Sequence, residues 1–339
     1  MKALFRCDAT EAIGFGHLSR CMALAEALEA SSVVCRLAGQ FDENAKRKII
    51  EAGFELTALD TPLDPKASSS EIASTMDANA FDFVVLDSYR ADDGYLASFA
   101  ALEPALVVID DFRLLSDYTC DAVLNFTWEA PELSYPSGPA LLLGPQFLLV
   151  RRRLVEQRAL SVARDRAGAA RKLLVLIGGA DPKNLALRLA RVLSANHKDL
   201  CLRIIAEDGP EIDSLIAQFA PGSAVVPRQP DISDQFLWAD VAITGGGLIK
   251  YESAYMAVPV AAIAQNEGQD RETRVFSRAG LAHDLGLADA VTDADLTASL
   301  DRFLGDASLR RAMASRMRDA FVADPSANAA QTLLEAIER

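Results

Sequence analysis

Short runs of wholly apolar residues alternate along this chain with longer stretches whose apolar residues recur every three to four positions. The short runs predict buried strands, and the longer stretches predict helices with one face inward. MKALFRCDA opens as a strand; GHLSRCMALAEALEA follows as a helix with Leu18, Met22, Ala25 and Leu28 on one face. SVVCRLAG reads as the next strand and AKRKIIEAG as a helix stopped by Gly53. FDFVVLDS and ALVVIDD are strands around the short helix YLASFAAL, and AVLNF and ALLLG close a first half. These strands do not alternate apolar with polar, as expected where helices cover both faces of a sheet. From Pro145 to about Ala170 the pattern lapses into mixed charge, opened by Arg151, Arg152 and Arg153. It then restarts. KLLVLIGG, CLRIIAE, SAVVPRQ, DVAITGG and PVAAIAQ read as strands, LALRLARVLSA, EIDSLIAQF and Ile249 to Met256 as helices, and the tail from Leu296 as helical.

Two successive runs of strand and helix predict an α/β chain with two doubly wound, Rossmann-like domains. The expected boundaries are 1–148 for the first domain, 149–170 for a connecting segment and 171–339 for the second domain with its C-terminal helices. Ligands of such sheets bind beyond the carboxyl ends of the strands, so the expected site is a cleft between the two domains. There is no short tandem repeat, and the only low-complexity tract is Ser68–Ser70.

Composition narrows the partners. The 339 residues suit two domains at ~100–200 residues each. No window reaches the ~18 uninterrupted apolar residues of a membrane span, and the opening segment lacks the apolar stretch of a secretory signal. The expectation is a soluble cytoplasmic protein without integral membrane association. A formal net charge of −14 argues against nucleic acid as a partner. The five cysteines are scattered without a CxxC pair, which suggests buried free thiols, and His17, His197 and His283 are too far apart to suggest a metal site.

Candidate chemistry lies in the loops after the strands. In Gly14-Phe15-Gly16-His17 the glycines permit a tight turn and close approach to a ligand. His17 then starts a helix, either as a proton acceptor or as a helix cap or phosphate contact. Asp87-Ser88-Tyr89 puts polar groups at a strand end and is a candidate sugar contact; Asp110-Asp111 is similar, but adjacent carboxylates point apart and make no ready acid–base pair. Gly178 and Gly179 open the second half's first helix near Lys183 and Asn184, as a close-approach loop or a plain turn. Gly245, Gly246 and Gly247 precede the helix that begins near Leu248, a nest of amides suited to a pyrophosphate. Glu252 is either a ribose contact or a solvated helix carboxylate, and Lys250 either pairs with phosphate or faces water. Gln265-Asn266-Glu267-Gly268-Gln269 reads as an amide-rich loop that binds sugar groups or simply turns.

Taken together, GFGHLSRCMALAEAL, the Asp87-Ser88-Tyr89 triplet, IGGADPKNL and GGGLIKYESA…QNEGQ resemble the PseG/SpsG family. It comprises the nucleotide-sugar hydrolases of pseudaminic acid biosynthesis and related spore-coat polysaccharide proteins. The motifs run in order from residue 1 to about residue 285, and the first is the most specific. The Gly-rich motif is shared with GT-B glycosyltransferases, such as the one that adds N-acetylglucosamine to the peptidoglycan lipid precursor. The resemblance implies a GT-B fold, UDP held mainly by the second domain, and no metal or other cofactor. It implies cleavage of UDP-2,4-diacetamido-2,4,6-trideoxy-β-L-altropyranose at the anomeric carbon with inversion. Its catalytic His and Tyr fall on His17 and Tyr89, its nucleotide loop on Gly245–Gly247 with Glu252 at the ribose, and its amide on Asn266 or Gln269. The rival expectations are a GT-B glycosyltransferase and a non-catalytic nucleotide-sugar-binding protein.

Overall fold

The computed structural model describes residues 1–338 except Ala167, Ala180 and Pro230. The chain forms two compact units: Met1–Arg152 with the residues from Asp324 onward, and Arg153–Ala323.

The first unit runs β1 (Lys2–Cys7), α1 (Gly16–Ala30), β2 (Val34–Gly39), α2 (Glu43–Glu51), β3 (Glu55–Ala58), α3 (Ser69–Met76), β4 (Phe83–Asp87), α4 (Asp93–Phe99), β5 (Ala105–Ile109), β6 (Ala122–Asn125) and β7 (Ala140–Leu143). Its seven strands are all parallel, in the order β3-β2-β1-β4-β5-β6-β7. Strand order therefore reverses between β1 and β4, whose register sets Cys7 beside Asp87. β3 escapes the sequence reading because it is a four-residue edge strand with no fully buried position. The Ser68–Ser70 tract is not low-complexity coil: Ser68 caps α3 and Glu71 closes a capping box with it.

The second unit runs α5 (Arg152–Ala163), β8 (Lys172–Leu176), α6 (Leu185–Asn196), β9 (Cys201–Ile205), α7 (Pro210–Ile216), β10 (Ala224–Val226), α8 (Ser233–Trp238), β11 (Val241–Gly245), α9 (Leu248–Tyr255), β12 (Val260–Ala264), α10 (Glu267–Arg278), β13 (His283–Leu287), α11 (Asp293–Gly305) and α12 (Ala307–Ala320). Its six parallel strands lie in the order β10-β9-β8-β11-β12-β13, reversing between β8 and β11. No helix among the described residues is long and apolar enough to cross a membrane.

Two expected boundaries change. The connecting segment 149–170 divides between the units: Arg151 pairs with Glu26 of the first, and three later arginines serve the second. Arg158 donates to the carbonyls of Tyr255 and Phe321, Arg164 to Leu237, and Arg166 to Phe236 and Ala239. Those carbonyls lie at or just beyond helix ends, where no intrahelical donor reaches them. The final helix, α13 (Pro325–Ile337), was expected with the second half but belongs to the first unit. Ser326 Oγ accepts from Val150 N at 2.9 Å, and Asn328 Nδ2 donates to Gln146 O at 2.9 Å. α1 is consequently buried well beyond the single predicted stripe: Cys21, Ala23 and Leu24 are enclosed along with Leu18, Met22, Ala25 and Leu28.

Candidate active site

The residues singled out by sequence fall into two sets, one at the strand reversal of each unit. In the first unit, β1 ends at Cys7 and the turn from Asp8 to Phe15 delivers His17 to the first turn of α1. Gly14 has φ +88°, a conformation that favours glycine, and a Cβ on Gly16 would meet only open space. β4 ends on Asp87, which is wholly buried. His17 Nδ1 lies 2.6 Å from Asp87 Oδ1. Burial alone would push the Asp87 carboxyl up, but the Arg20 guanidinium and His17 outweigh it and hold the group well below the usual carboxylate range. Asp87 is therefore an acceptor only, and the neutral imidazole must carry its proton on Nδ1. Arg20 Nη2 is also 3.1 Å from Nδ1, which cannot accept while it donates to Asp87. Nε2 has no hydrogen-bond partner among the described residues and is not a buried unpaired atom, so its lone pair faces solvent. A carboxylate-oriented imidazole with a free Nε2 has the geometry that general-base chemistry requires.

Arg20 binds Asp87 through Nε (2.5 Å) and Nη2 (2.6 Å), and through Nη1 it binds Asp111 in the turn after β5. Tyr89 donates to the same Asp111 oxygen at 2.7 Å, and its ring meets the His17 ring edge-on at 4.5 Å. Tyr89 is 48% exposed, but its hydroxyl is held by Asp111. Burial of that hydroxyl, then the Asp111 carboxylate, hold the phenol well above its usual range, so it acts as a hydrogen-bond donor. Asp110, next in sequence, faces elsewhere: it accepts from Tyr118 and from the amides of Phe112 and Leu114. The adjacent carboxylates do point apart, and only Asp111 joins the site.

In the second unit β11 ends on Gly245, and Gly247 is the N-cap of α9, whose first residue is Leu248. The three glycines differ in what they permit. A Cβ on Gly245 would lie 2.0 Å from the Ile177 carbonyl oxygen, and one on Gly246 2.9 Å from Thr273 Oγ1. These two glycines are required by packing within the unit. Gly247 has room, its nearest neighbour being Gln269 Nε2 at 3.6 Å, and it offers no side chain to cap the helix. Lys250 neither faces water nor reaches outward. It is 1% exposed, paired with Glu272, and donates to Gly246 O, so it braces the loop from beneath. Glu252 is 6% exposed, which removes the solvated-carboxylate alternative.

The amide-rich loop is the start of α10, not a free turn. Asn266 is its N-cap and accepts from Gln269 N at 3.0 Å, while Gln269 Oε1 accepts from Gln265 N, leaving Nε2 beside Gly247. Of the two candidate amides, Asn266 is spent on capping and Gln269 flanks the glycine loop. Gly178, with φ +135°, and Gly179 follow β8; Ala180 lies outside the described residues. Asp181, not Asn184, caps α6, accepting from Leu185 N and Ala186 N at 2.8 Å each. Asn184 is exposed in a left-handed conformation and its side chain does not cap the helix. Sequence reasoning missed Arg20 as a site residue. Its spacing of three from His17 puts it on the same helix face, a signal present in GHLSR.

No protein-family model matches the chain. It is 24% identical over 320 residues to the spore coat polysaccharide biosynthesis protein SpsG of Bacillus subtilis, covering 88% of this chain and 87% of that one. It is 25% identical over 200 residues to the UDP-2,4-diacetamido-2,4,6-trideoxy-beta-L-altropyranose hydrolase of Campylobacter jejuni, covering 57% and 66%. An uncharacterized protein of Methanocaldococcus jannaschii is 21% identical over 283 residues, 79% of this chain and 57% of that one. The chain thus spans under two thirds of the length of the archaeal and Campylobacter relatives. Among solved structures, Acinetobacter baumannii MurG superposes with a TM-score of 0.67 at 16% identity over 100% and 99% of the two chains. The spinosyn rhamnosyltransferase SpnG with spinosyn aglycone gives 0.67 at 15% over 100% of both. SpsG and the Campylobacter hydrolase are homologues at modest identity. The solved structures establish the fold as GT-B, with two Rossmann-like units.

Proposed function

We propose that this chain is a nucleotide-sugar hydrolase that releases UDP and a free diacetamido-trideoxyhexose by attack of water at the anomeric carbon. The observation that carries the reading is the 2.6 Å contact of His17 Nδ1 with the buried Asp87, which leaves Nε2 open as a base. The homology to the Campylobacter hydrolase supports the choice of substrate. His17 Nε2 takes a proton from water as the water oxygen bonds to the anomeric carbon on the face opposite the nucleotide. The bond from that carbon to the glycosyl oxygen breaks, its electron pair leaves with UDP, and the configuration inverts. A positioned base contributes ~10²–10⁴-fold. In the second unit the N-terminus of α9 at Gly247 and Leu248 takes the diphosphate, where helix amides offset its charge, with Gln269 alongside and Glu252 at the ribose. Gly14, Gly16 and Tyr89 border the sugar; Gly178, Gly179 and Asn184 are the further substrate contacts of this reading.

The second reading is glycosyl transfer to an alcohol, favoured by the glycosyltransferases that share the fold. One experiment separates the two. UDP-sugars are incubated with the protein in ¹⁸O-water without acceptor, and the products are read by mass spectrometry. Label at the new anomeric hydroxyl supports hydrolysis. Label in UDP means attack at phosphorus, and turnover only after an alcohol is added means transfer; either result overturns the proposal.

A further inference from the structure

The charges around His17 do not balance in the resting state. Arg20 is one cation held between two carboxylates, Asp87 and Asp111. Asp87 alone would neutralise it. Asp111 is the surplus anion, mostly buried, with Oδ2 accepting from both Arg20 and Tyr89 and Oδ1 buried with no partner among the described residues. The other polar groups around His17 do not cancel it. On α1, Cys21 Sγ is 3.7 Å from Asp87 Oδ2; after β4 stands the Tyr89 phenol; from α2, Lys48 reaches the Phe15 ring, 4.5 Å from its centroid. A proton on Nε2 makes His17 an imidazolium, and the cluster of His17, Arg20, Asp87 and Asp111 then sums to zero.

We propose that Asp111 is a positioning residue that, through Arg20 and Tyr89, supplies the negative charge against which His17 becomes imidazolium when it takes a proton. The inference rests on the reading of His17 as the base. Asp87 fixes which nitrogen is free, and Asp111 sets how readily that nitrogen takes the proton. Without Asp111, Arg20 and Asp87 are already balanced, and protonating His17 leaves a net positive charge in a mostly buried cluster, where charge is poorly screened.

The chain has three histidines, so the ring-nitrogen NMR signals of His17 are assigned by single substitution. At one mildly acidic pH, Asp111→Asn is expected to lower the ratio of doubly to singly protonated His17 by about threefold or more. Asp111→Glu restores the ratio, and Arg20→Gln, which removes the cation, raises it. Opposite signs from two neighbouring substitutions follow from charge and not from loosened packing. If Asp111→Asn unfolds, Asp111→Ser, which also removes the charge, takes its place in the comparison. An unchanged ratio, or both variants moving it in the same direction, overturns the proposal. On a UDP-sugar that the wild type hydrolyses, Asp111→Asn lowers kcat about tenfold with KM within about twofold. If the wild type hydrolyses none, the functional reading fails, and the ring-nitrogen ratios still decide the role of Asp111.

Discussion

At the scale of single residues, His17 and Asp87 have separable duties. His17→Asn removes the base and is expected to lower turnover by ~10²–10⁴-fold, with UDP affinity by calorimetry within about twofold of wild type. Equal turnover in wild type and variant would remove His17 from the chemistry. Asp87 also carries a stability signature. Its folded carboxyl titrates below the ~3.9 of an unfolded aspartate, so its contribution is fully present above that value and is lost as pH falls through the folded one. Thermal melts between pH 5 and pH 2 should therefore show a steeper acid loss for the wild type than for Asp87→Asn, whose amide does not titrate. Parallel slopes would contradict the assignment. The pair His17 and Asp87 was legible in part: GFGH and the Asp87 triplet both stood out, but 70 residues separate them and nothing in either motif specifies their contact.

At the scale of elements, the glycine loop joins two requirements that one sequence motif hides. Gly245→Ala drives a methyl into the Ile177 carbonyl and is expected to destabilise the second unit by ~1–3 kcal/mol or more. Gly247→Ala meets only Gln269 Nε2 at an ordinary contact distance, so it should leave the melt unchanged and weaken UDP binding. Measuring both melting and UDP affinity separates these roles; a Gly247→Ala variant that melts early but binds UDP normally would reverse the assignment. Beneath the loop, Lys250→Met leaves Glu272 buried without its cation, which costs ~3–5 kcal/mol by the usual price of a broken internal pair. A denaturant midpoint close to wild type would show that the pair does not brace the loop. GGGLIKYES signals a turn and a helix, but not that Lys250 points inward, because a lysine on a helix is ordinarily solvated.

At the scale of the whole molecule, the chain leaves its first unit and returns to it only with α13. Ending the chain after Ala323 removes the cover of α1 that includes the buried Leu333, a side chain representing ~1.5–3 kcal/mol by itself. Amides of β1 and β4 should lose hydrogen-exchange protection while those of β8 and β11 keep theirs. Protection retained in β1 and β4 would mean that α13 is dispensable to the unit on which it packs.

Local patterning determined much of this protein. Apolar runs of strand length, separated by helical periodicities, specify parallel sheets, because a strand covered on both faces has no reason to alternate. Glycine at the strand ends marks the turns of the candidate site, because Gly14 and Gly178 take positive-φ backbone and Gly245 and Gly246 have no room for a side chain. The tertiary structure decided what depends on residues far apart in sequence. It gave α13 to the first unit and set Arg158, Arg164 and Arg166 against the carbonyls at helix ends of the second. It turned Asn266 into a helix cap, and it joined Arg20 to two carboxylates at the ends of different strands. A periodicity shows that a face will be buried, but not which partner buries it. The charge of a side chain likewise leaves its counter-charge unspecified until the strand order brings the two together.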